Sequence, residues 1–149
     1  MITPYSIAKQ YIDIKEISGA MNNPIIMAML KLDNNWPEND EVPWCSAFIN
    51  WVAFNAGVWR SKSLMARSWL AMVNHIQIDH AEQGWDVVIL SRGHGEQPSA
   101  GVLNAPGHVG LYSFHNGGNV WLLGGNQSDS VSIQKFPKSR IIGVRRWNH

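Results

Sequence analysis

The 149-residue sequence is poor in cysteine and in charge of either sign. Its one cysteine, Cys45, can form no intramolecular disulfide and cannot build a zinc module that needs several cysteines. Charged residues make up 15%, and twelve Lys and Arg against eleven Asp and Glu give a formal net charge of +1. Such a small excess of charge argues against binding to nucleic acid or to an acidic membrane.

The sequence also lacks long apolar segments. Its longest apolar runs, such as residues 25–30, are far shorter than the roughly 20 residues of a membrane span. The N-terminus, MITPYSIAKQ, has neither the basic start nor the apolar stretch of a secretory signal. We therefore expect synthesis in the cytoplasm without a signal peptide and no membrane insertion. No repeat or linker divides residues 1–149, so we expect one domain that works as a monomer.

Helical patterns dominate the first half of the chain and strand patterns follow Gly84. Apolar spacing and flanking Pro and Gly residues predict helices over residues 6–17, 24–32, 44–56 and 66–74. Short β-branched or alternating runs predict strands over residues 86–91, 108–115, 119–125, 129–135 and 140–147. Helices followed by strands predict an α+β fold, with N-terminal helices packed on a C-terminal antiparallel sheet.

Cys45 lies at the start of the third predicted helix, in PWCSAFINWVAFNAG. Free backbone N–H groups and the helix dipole at such a position favour a thiolate, so we expect a lowered pKa and a nucleophilic sulfur. The alternative is that Cys45 is a small buried core residue, as free cysteines commonly are.

His108 and Asn126 bracket a predicted hairpin whose turn is rich in Asn and Gly. A turn centred on Gly117 makes the two residues direct cross-strand partners, on one face with Gly110 and Tyr112. We expect that face to receive the Cys45 helix, which would bring nucleophile, base and orienting amide together as a Cys-His-Asn triad. The alternatives are a strand-start histidine satisfied by the backbone and an asparagine that holds an unusual backbone angle.

Several motifs together resemble a known family. The strings PWCSAF-NW, ARSWL, DVV-L-SRG, GHVGLY, LLGGNQSD-VSI and P-SRIIGVRRW, spread over residues 36–147, are similar to small phage and bacterial proteins. That family is related to the CHAP and NlpC-type peptidoglycan amidases and endopeptidases, which have papain-like folds. The resemblance implies that Cys45 is the nucleophile, His108 the general base and acid, and Asn126 the orienting residue. Relatives use Glu, Asp or a second His at this third position.

The resemblance also implies a function and further site residues. The expected activity is cysteine-dependent hydrolysis of an amide in the peptidoglycan stem peptide or cross-link, by a phage lysin or antibacterial effector. It would act on the cell wall after release through a holin or a secretion system, with an inhibitor or immunity protein as a partner. Trp44, Arg67 and Trp69 match motif positions and would line the substrate cleft; the alternative is that Trp69 is core and Arg67 structural.

The developing oxyanion would be held by the backbone N–H of Cys45 and by Asn39, six residues earlier; the alternative, which the sequence PENDE favours, is that Asn39 is a loop cap. No metal and no cofactor are expected. Two other functions remain open at this point. One is a papain-like enzyme that acts on a host protein, and the other is a non-catalytic module whose Trp residues and loop 92–107 bind a peptide or glycan.

Overall fold

The computed structural model describes residues 1–17, 22–38, 43–93, 99, 101–103 and 105–149. Its helices are α1 (Pro4–Lys9), α2 (Pro24–Leu30) and α3 (Cys45–Ala56), and its strands are β1 (Asp86–Ser91), β2 (Gly107–Asn116), β3 (Asn119–Gln127), β4 (Ser130–Pro137) and β5 (Ile141–Arg146). Short 3₁₀ segments cover Ala66–Ala71, Ile78–His80 and Lys138–Arg140. Within this described part, no helix is long and apolar enough to cross a membrane.

The five strands form one antiparallel sheet in the order β4-β3-β2-β1-β5. The predicted α+β class, with helices before an antiparallel sheet, is therefore confirmed. The predicted strands agree closely with the observed ones, and β1 agrees at both ends. The fourth predicted helix is a 3₁₀ segment that ends at Ala71.

The first predicted helix, over residues 6–17, is wrong from residue 10 onward, because α1 ends at Lys9. Asp13 has a φ of 79°, which turns the chain out of the helical path. The Asp13 N–H donates to Val131 O, and Lys15 forms a β-bridge with Ser130. The segment thus satisfies its backbone groups on β4, a choice that helical periodicity alone does not reveal.

The sheet buries a different cluster on each face. Helix α3 packs on β2 and β3, where Phe48 and Val52 join Val109 and Leu123 in the larger core. A second cluster lies on the opposite face and includes Val88, Leu90, Tyr112, Leu122 and Phe136. Because side chains alternate along a strand, neighbours such as Leu122 and Leu123 enter different clusters.

Candidate active site

Cys45 is the first residue of α3, at a helix start that carries no side-chain cap. By contrast, Thr3 caps α1 in a capping box and Asn23 caps α2. Since Trp44 caps nothing, the first backbone N–H groups of α3 remain available to the sulfur. The backbone N–H groups of Cys45, Ser46 and Val109 lie close enough to the Cys45 thiol to favour its ionised form.

Burial nevertheless raises the pKa of Cys45 above its ordinary value. The side chain is only 4% exposed, and desolvation of the thiolate outweighs the three N–H groups and the nearby Arg92 guanidinium. The prediction of a lowered pKa was therefore wrong, because the sequence shows the helix start but not how deeply it is buried.

The start of α3 packs closely against β3 at Gly125. A Cβ atom there would lie 2.7 Å from Phe48 Cβ and 2.7 Å from Trp44 Cζ3, closer than real contacts allow. The Trp44 indole Nε1 donates to Glu16 Oε1 at 2.8 Å on the other side. The absence of a side chain at residue 125 thus lets the Cys45 end of the helix approach the sheet.

His108 begins the buried part of β2, and its ring packs against the second cluster. Its ring centroid is 5.2 Å from that of Phe136, a member of the second cluster. The predicted grouping with Tyr112 holds, but the expectation that this face receives the Cys45 helix was wrong. Cys45 instead reaches the strand through the backbone of Val109, the residue that follows His108.

Gln127 holds the His108 imidazole. Its Oε1 atom lies 2.9 Å from His108 Nε2, while its Nε2 group donates to Leu122 O at 3.0 Å and to Ser132 O at 2.7 Å. Both amide protons are used, so Oε1 must accept and His108 Nε2 must carry the ring proton. In the described part of the chain His108 Nδ1 is buried and has no hydrogen-bond partner. The neutral imidazole therefore keeps its lone pair on Nδ1, the form that a general base needs.

The residue that accepts the hydrogen bond from His108 Nε2–H is thus Gln127 and not the predicted Asn126. The β2–β3 register agrees with the prediction at Leu111↔Leu123 and Tyr112↔Leu122, but His108 itself pairs with Leu90 of β1. No cross-strand pair between His108 and Asn126 is among the pairs of the described strands.

A β-bulge explains the change of partner. Strand β3 pairs with β4 at Gly124↔Ser132 and then at Gln127↔Ser130, so β3 contains one extra residue. Asn126 takes the left-handed backbone, with a φ of 56°, as the alternative interpretation of this residue stated. The extra residue returns Gln127 to the face of Gly124, where a Cβ atom on Gly124 would lie 2.6 Å from Gln127 Oε1. The Gly-Gly-Asn run was the available signal of this bulge.

The environment keeps the imidazole neutral. Burial lowers the pKa of His108 to about 4, against the opposing effect of the Gln127 hydrogen bond, and Arg92 and Arg140 lower it further by electrostatic repulsion. Together with the raised pKa of Cys45, this makes the resting pair a neutral thiol and a neutral imidazole.

A pocket of about 300 Å³ opens beside His108. Its lining is polar and basic, with Arg92, His108, Asn126, Gln127, Ser128, Gln134, Phe136 and Arg140. Gln127, Arg92 and Arg140 were not predicted, although all three lie within the quoted motifs GGNQSD, SRG and SRIIG. No group of three or more His, Cys, Asp or Glu side chains that could hold a metal occurs among the described residues.

Trp44, Arg67 and Trp69 are buried inside the fold, with none of their surface exposed. Arg67 donates to Pro106 O and Ser99 O, so it ties the segment before β2 to the 3₁₀ segment Ala66–Ala71. Trp69 Nε1 donates to Ser46 Oγ at 2.9 Å, next to the nucleophile candidate. All three predicted substrate-lining residues are therefore buried, and for Trp69 and Arg67 this agrees with the alternative interpretation, in which Trp69 is core and Arg67 structural. Asn39 lies outside the described residues.

Comparison with known proteins gives a likeness of fold. No protein-family model matches the chain, and no curated protein matches it. Among solved structures, NlpC1 from Trichomonas vaginalis superimposes with a TM-score of 0.58 at 15% sequence identity. The chain has an NlpC-like fold. The match covers 98% of this chain and 44% of the NlpC1 chain, so this chain spans less than half the length of its neighbour.

Proposed function

We propose that this protein is a cysteine-dependent hydrolase of an amide bond in peptidoglycan, with a papain-like catalytic arrangement. In this proposal Cys45 is the nucleophile, His108 the general base and acid, and Gln127 the residue that orients the imidazole. The observation that carries it is the fixed tautomer of His108, whose Nδ1 is buried without a hydrogen-bond partner among the described residues, while the next residue, Val109, contacts Cys45 through its backbone. The NlpC-like fold supports the same assignment.

The proposed reaction is acyl transfer through a thioester. In this proposal the His108 ring reaches the sulfur at the start of β2, where the Val109 backbone contacts Cys45, and its Nδ1 takes the proton of the thiol while the sulfur attacks the amide carbonyl carbon. The imidazolium then gives this proton to the leaving nitrogen, and the C–N bond breaks. A water molecule, deprotonated by His108 Nδ1, attacks the thioester, the C–S bond breaks and the proton returns to the sulfur. Gln127 accepts from His108 Nε2–H throughout and keeps the ring in position.

Backbone groups supply the oxyanion donors in this proposal. The N–H groups of Cys45 and Ser46 belong to the uncapped first turn of α3, and the Val109 N–H points to the same sulfur. Donors that are fixed before the reaction stabilise the developing negative charge without reorganisation, a contribution of about 3 kcal/mol per donor in comparable sites.

Peptidoglycan is proposed as the substrate on the resemblance of motifs from PWCSAF to SRIIGVRRW and on the fold of the structural neighbour. A role as a phage lysin or effector, release through a holin or secretion system, and an inhibitor partner stay predictions. The test is mass spectrometry of fragments released from purified sacculi by wild-type protein, Cys45→Ala and Cys45→Ser. We expect new stem-peptide termini with wild type alone. Intact sacculi with folded wild-type protein would contradict the proposal.

A second candidate is a non-catalytic binding module, and the burial of Cys45 is the observation that favours it. Binding of soluble muropeptides by Cys45→Ala and wild-type protein with equal affinity, without any cleavage by wild type, would support this candidate. Cleavage by wild type alone would exclude it.

A further inference from the structure

Two arginines line the pocket beside His108, and no acidic side chain of the described residues neutralises their positive charge. Arg92 and Arg140 both line this pocket, and both act electrostatically on the imidazole. In the described part of the chain, the ion pairs with acidic side chains involve Arg60 and Arg146 instead. Two like charges beside a buried ring are unfavourable unless an anion joins them.

Arg140 is held in a defined position. Its Nε and Nη2 atoms donate to Ser91 O at 3.1 and 2.9 Å, and its guanidinium carbon lies 5.4 Å from the centroid of the Phe136 ring. The same Phe136 ring contacts His108. Phe136 therefore sets the spacing between the guanidinium and the imidazole, and the Nη1 group of Arg140 forms no hydrogen bond with the described residues.

Arg92 is exposed at the end of β1 and has no hydrogen bond to the described residues. It is close enough to influence both Cys45 and His108 electrostatically. A group bound between Arg92 and Arg140 would thus lie beside the His108 imidazole. Gln134 and Ser128 add uncharged hydrogen-bonding groups to the same pocket.

We propose that this pocket recognises a carboxylate of the peptide substrate, placed next to the scissile amide by Arg92 and Arg140. A carboxylate suits the pocket because guanidinium groups bind it through paired, charge-assisted hydrogen bonds. This inference rests on the proposed function and narrows it to peptides with a free acidic group near the cleaved bond. Amidation of that group would remove the charge and weaken binding.

The test uses three synthetic peptides: L-Ala-γ-D-Glu-L-Lys-D-Ala, the same peptide amidated at the D-Glu carboxyl, and the same peptide amidated at its C-terminus. Binding of each peptide is measured by calorimetry with the Cys45→Ala protein. The same measurement is made with two double variants, which add either Arg92→Gln or Arg140→Gln to Cys45→Ala. The matched control is Lys135→Gln, which removes the same charge from an exposed residue of β4 outside the pocket. Arg92→Gln breaks no hydrogen bond to the described residues and stays informative if Arg140→Gln fails to fold.

With Cys45→Ala and with the Lys135→Gln control, we expect one of the two amidations to weaken binding about 10-fold, the usual size of a charge-assisted hydrogen bond. In Arg92→Gln or Arg140→Gln this preference should fall to about threefold or less. The inference is overturned if the preference for the free carboxylate over the amidated peptide is unchanged in both arginine variants. It is also overturned if the proteins bind all three peptides equally well. Either outcome leaves the proposed function standing. If no peptide binds and wild-type protein leaves sacculi intact, the proposed function and this inference fail together.

Discussion

The Oε1 atom of Gln127 lies 2.9 Å from the Nε2 atom of His108, and this hydrogen bond determines which nitrogen of the ring can act as a base. The Gln127 amide is itself fixed by Leu122 O and Ser132 O, so its oxygen cannot turn away. The ring proton is therefore kept on Nε2, and Nδ1 is left with a lone pair.

Replacement of Gln127 by Met keeps the size of the side chain but removes the hydrogen bond to His108. We expect Gln127→Met to lower kcat for release of fragments from sacculi by roughly 10- to 100-fold, because the imidazole loses its orientation and tautomer. The matched control is Asn126→Gly, which removes the neighbouring amide and tolerates the φ of 56°. Asn126 lines the pocket but Gln127 makes the hydrogen bond to the ring, so this variant should lower kcat clearly less than Gln127→Met does. The reverse order of effects would assign the orienting role to Asn126.

Gly125 should not tolerate a side chain. In Gly125→Ala the new Cβ would lie 2.7 Å from Phe48 Cβ, so α3 must move away from β3. We expect the free energy of unfolding to fall by about 1–3 kcal/mol, measured by urea denaturation. Gly118→Ala is the control, since a Cβ there meets nothing within 4 Å. It should change stability by less than about 0.5 kcal/mol. Equal losses in the two variants would show that the close approach at Gly125 does not hold the helix.

Cys45 should react slowly with iodoacetamide at neutral pH. Because burial raises the pKa of its thiol above the ordinary 9.0, we expect the alkylation rate at pH 7 to be lower in the folded protein than in urea. The rate should increase with pH to a midpoint above 9.0. Since Cys45 is the one cysteine of the chain, the mass of the intact protein reports the reaction directly. A rate that has already reached its plateau below pH 7 would show that the helix start outweighs burial.

The free energy of unfolding should decrease in acid because of His108. The pKa of its imidazole is about 4 in the folded protein and 6.5 when unperturbed. Between these two pH values the unfolded chain binds a proton at His108 and the folded chain does not. Its contribution to stability is complete above pH 6.5, decreases as the pH falls towards 4, and is then constant. The total loss is about 3 kcal/mol. The measurement is the free energy of unfolding of wild-type protein and of His108→Gln from pH 4 to 7.5.

The difference between the two proteins isolates His108, because the carboxylates titrate in both. We expect the advantage of wild type over His108→Gln to shrink as the pH falls through this range. An advantage that does not vary with pH would show that His108 is not desolvated in the folded chain.

Local patterns in the sequence were sufficient for much of the fold. Alternation and turn residues located all five strands, and β1 was predicted at both ends. A turn centred on Gly117 predicts the pair Leu111↔Leu123, which the structure has only because the register shifts between Tyr112 and Phe114; next to the turn Asn116 pairs with Asn119, one residue from the prediction. Proline at residue 43 and glycine at residue 57 placed the start of α3 within one residue of Cys45. These features depend on neighbours in the chain, which the sequence displays directly.

The details of the site depended on contacts between distant segments. The extra residue in β3 moves Gln127, not Asn126, onto the face of His108, and regular alternation cannot show it. Likewise, the direction of the Cys45 pKa follows from how α3 packs on the sheet. The sequence by itself thus determined the order of elements and singled out Cys45 and His108, the two residues of the proposed catalytic pair. Only the tertiary structure decided which amide holds the imidazole and how far both groups are removed from water, because a bulge and burial arise when separate segments pack together.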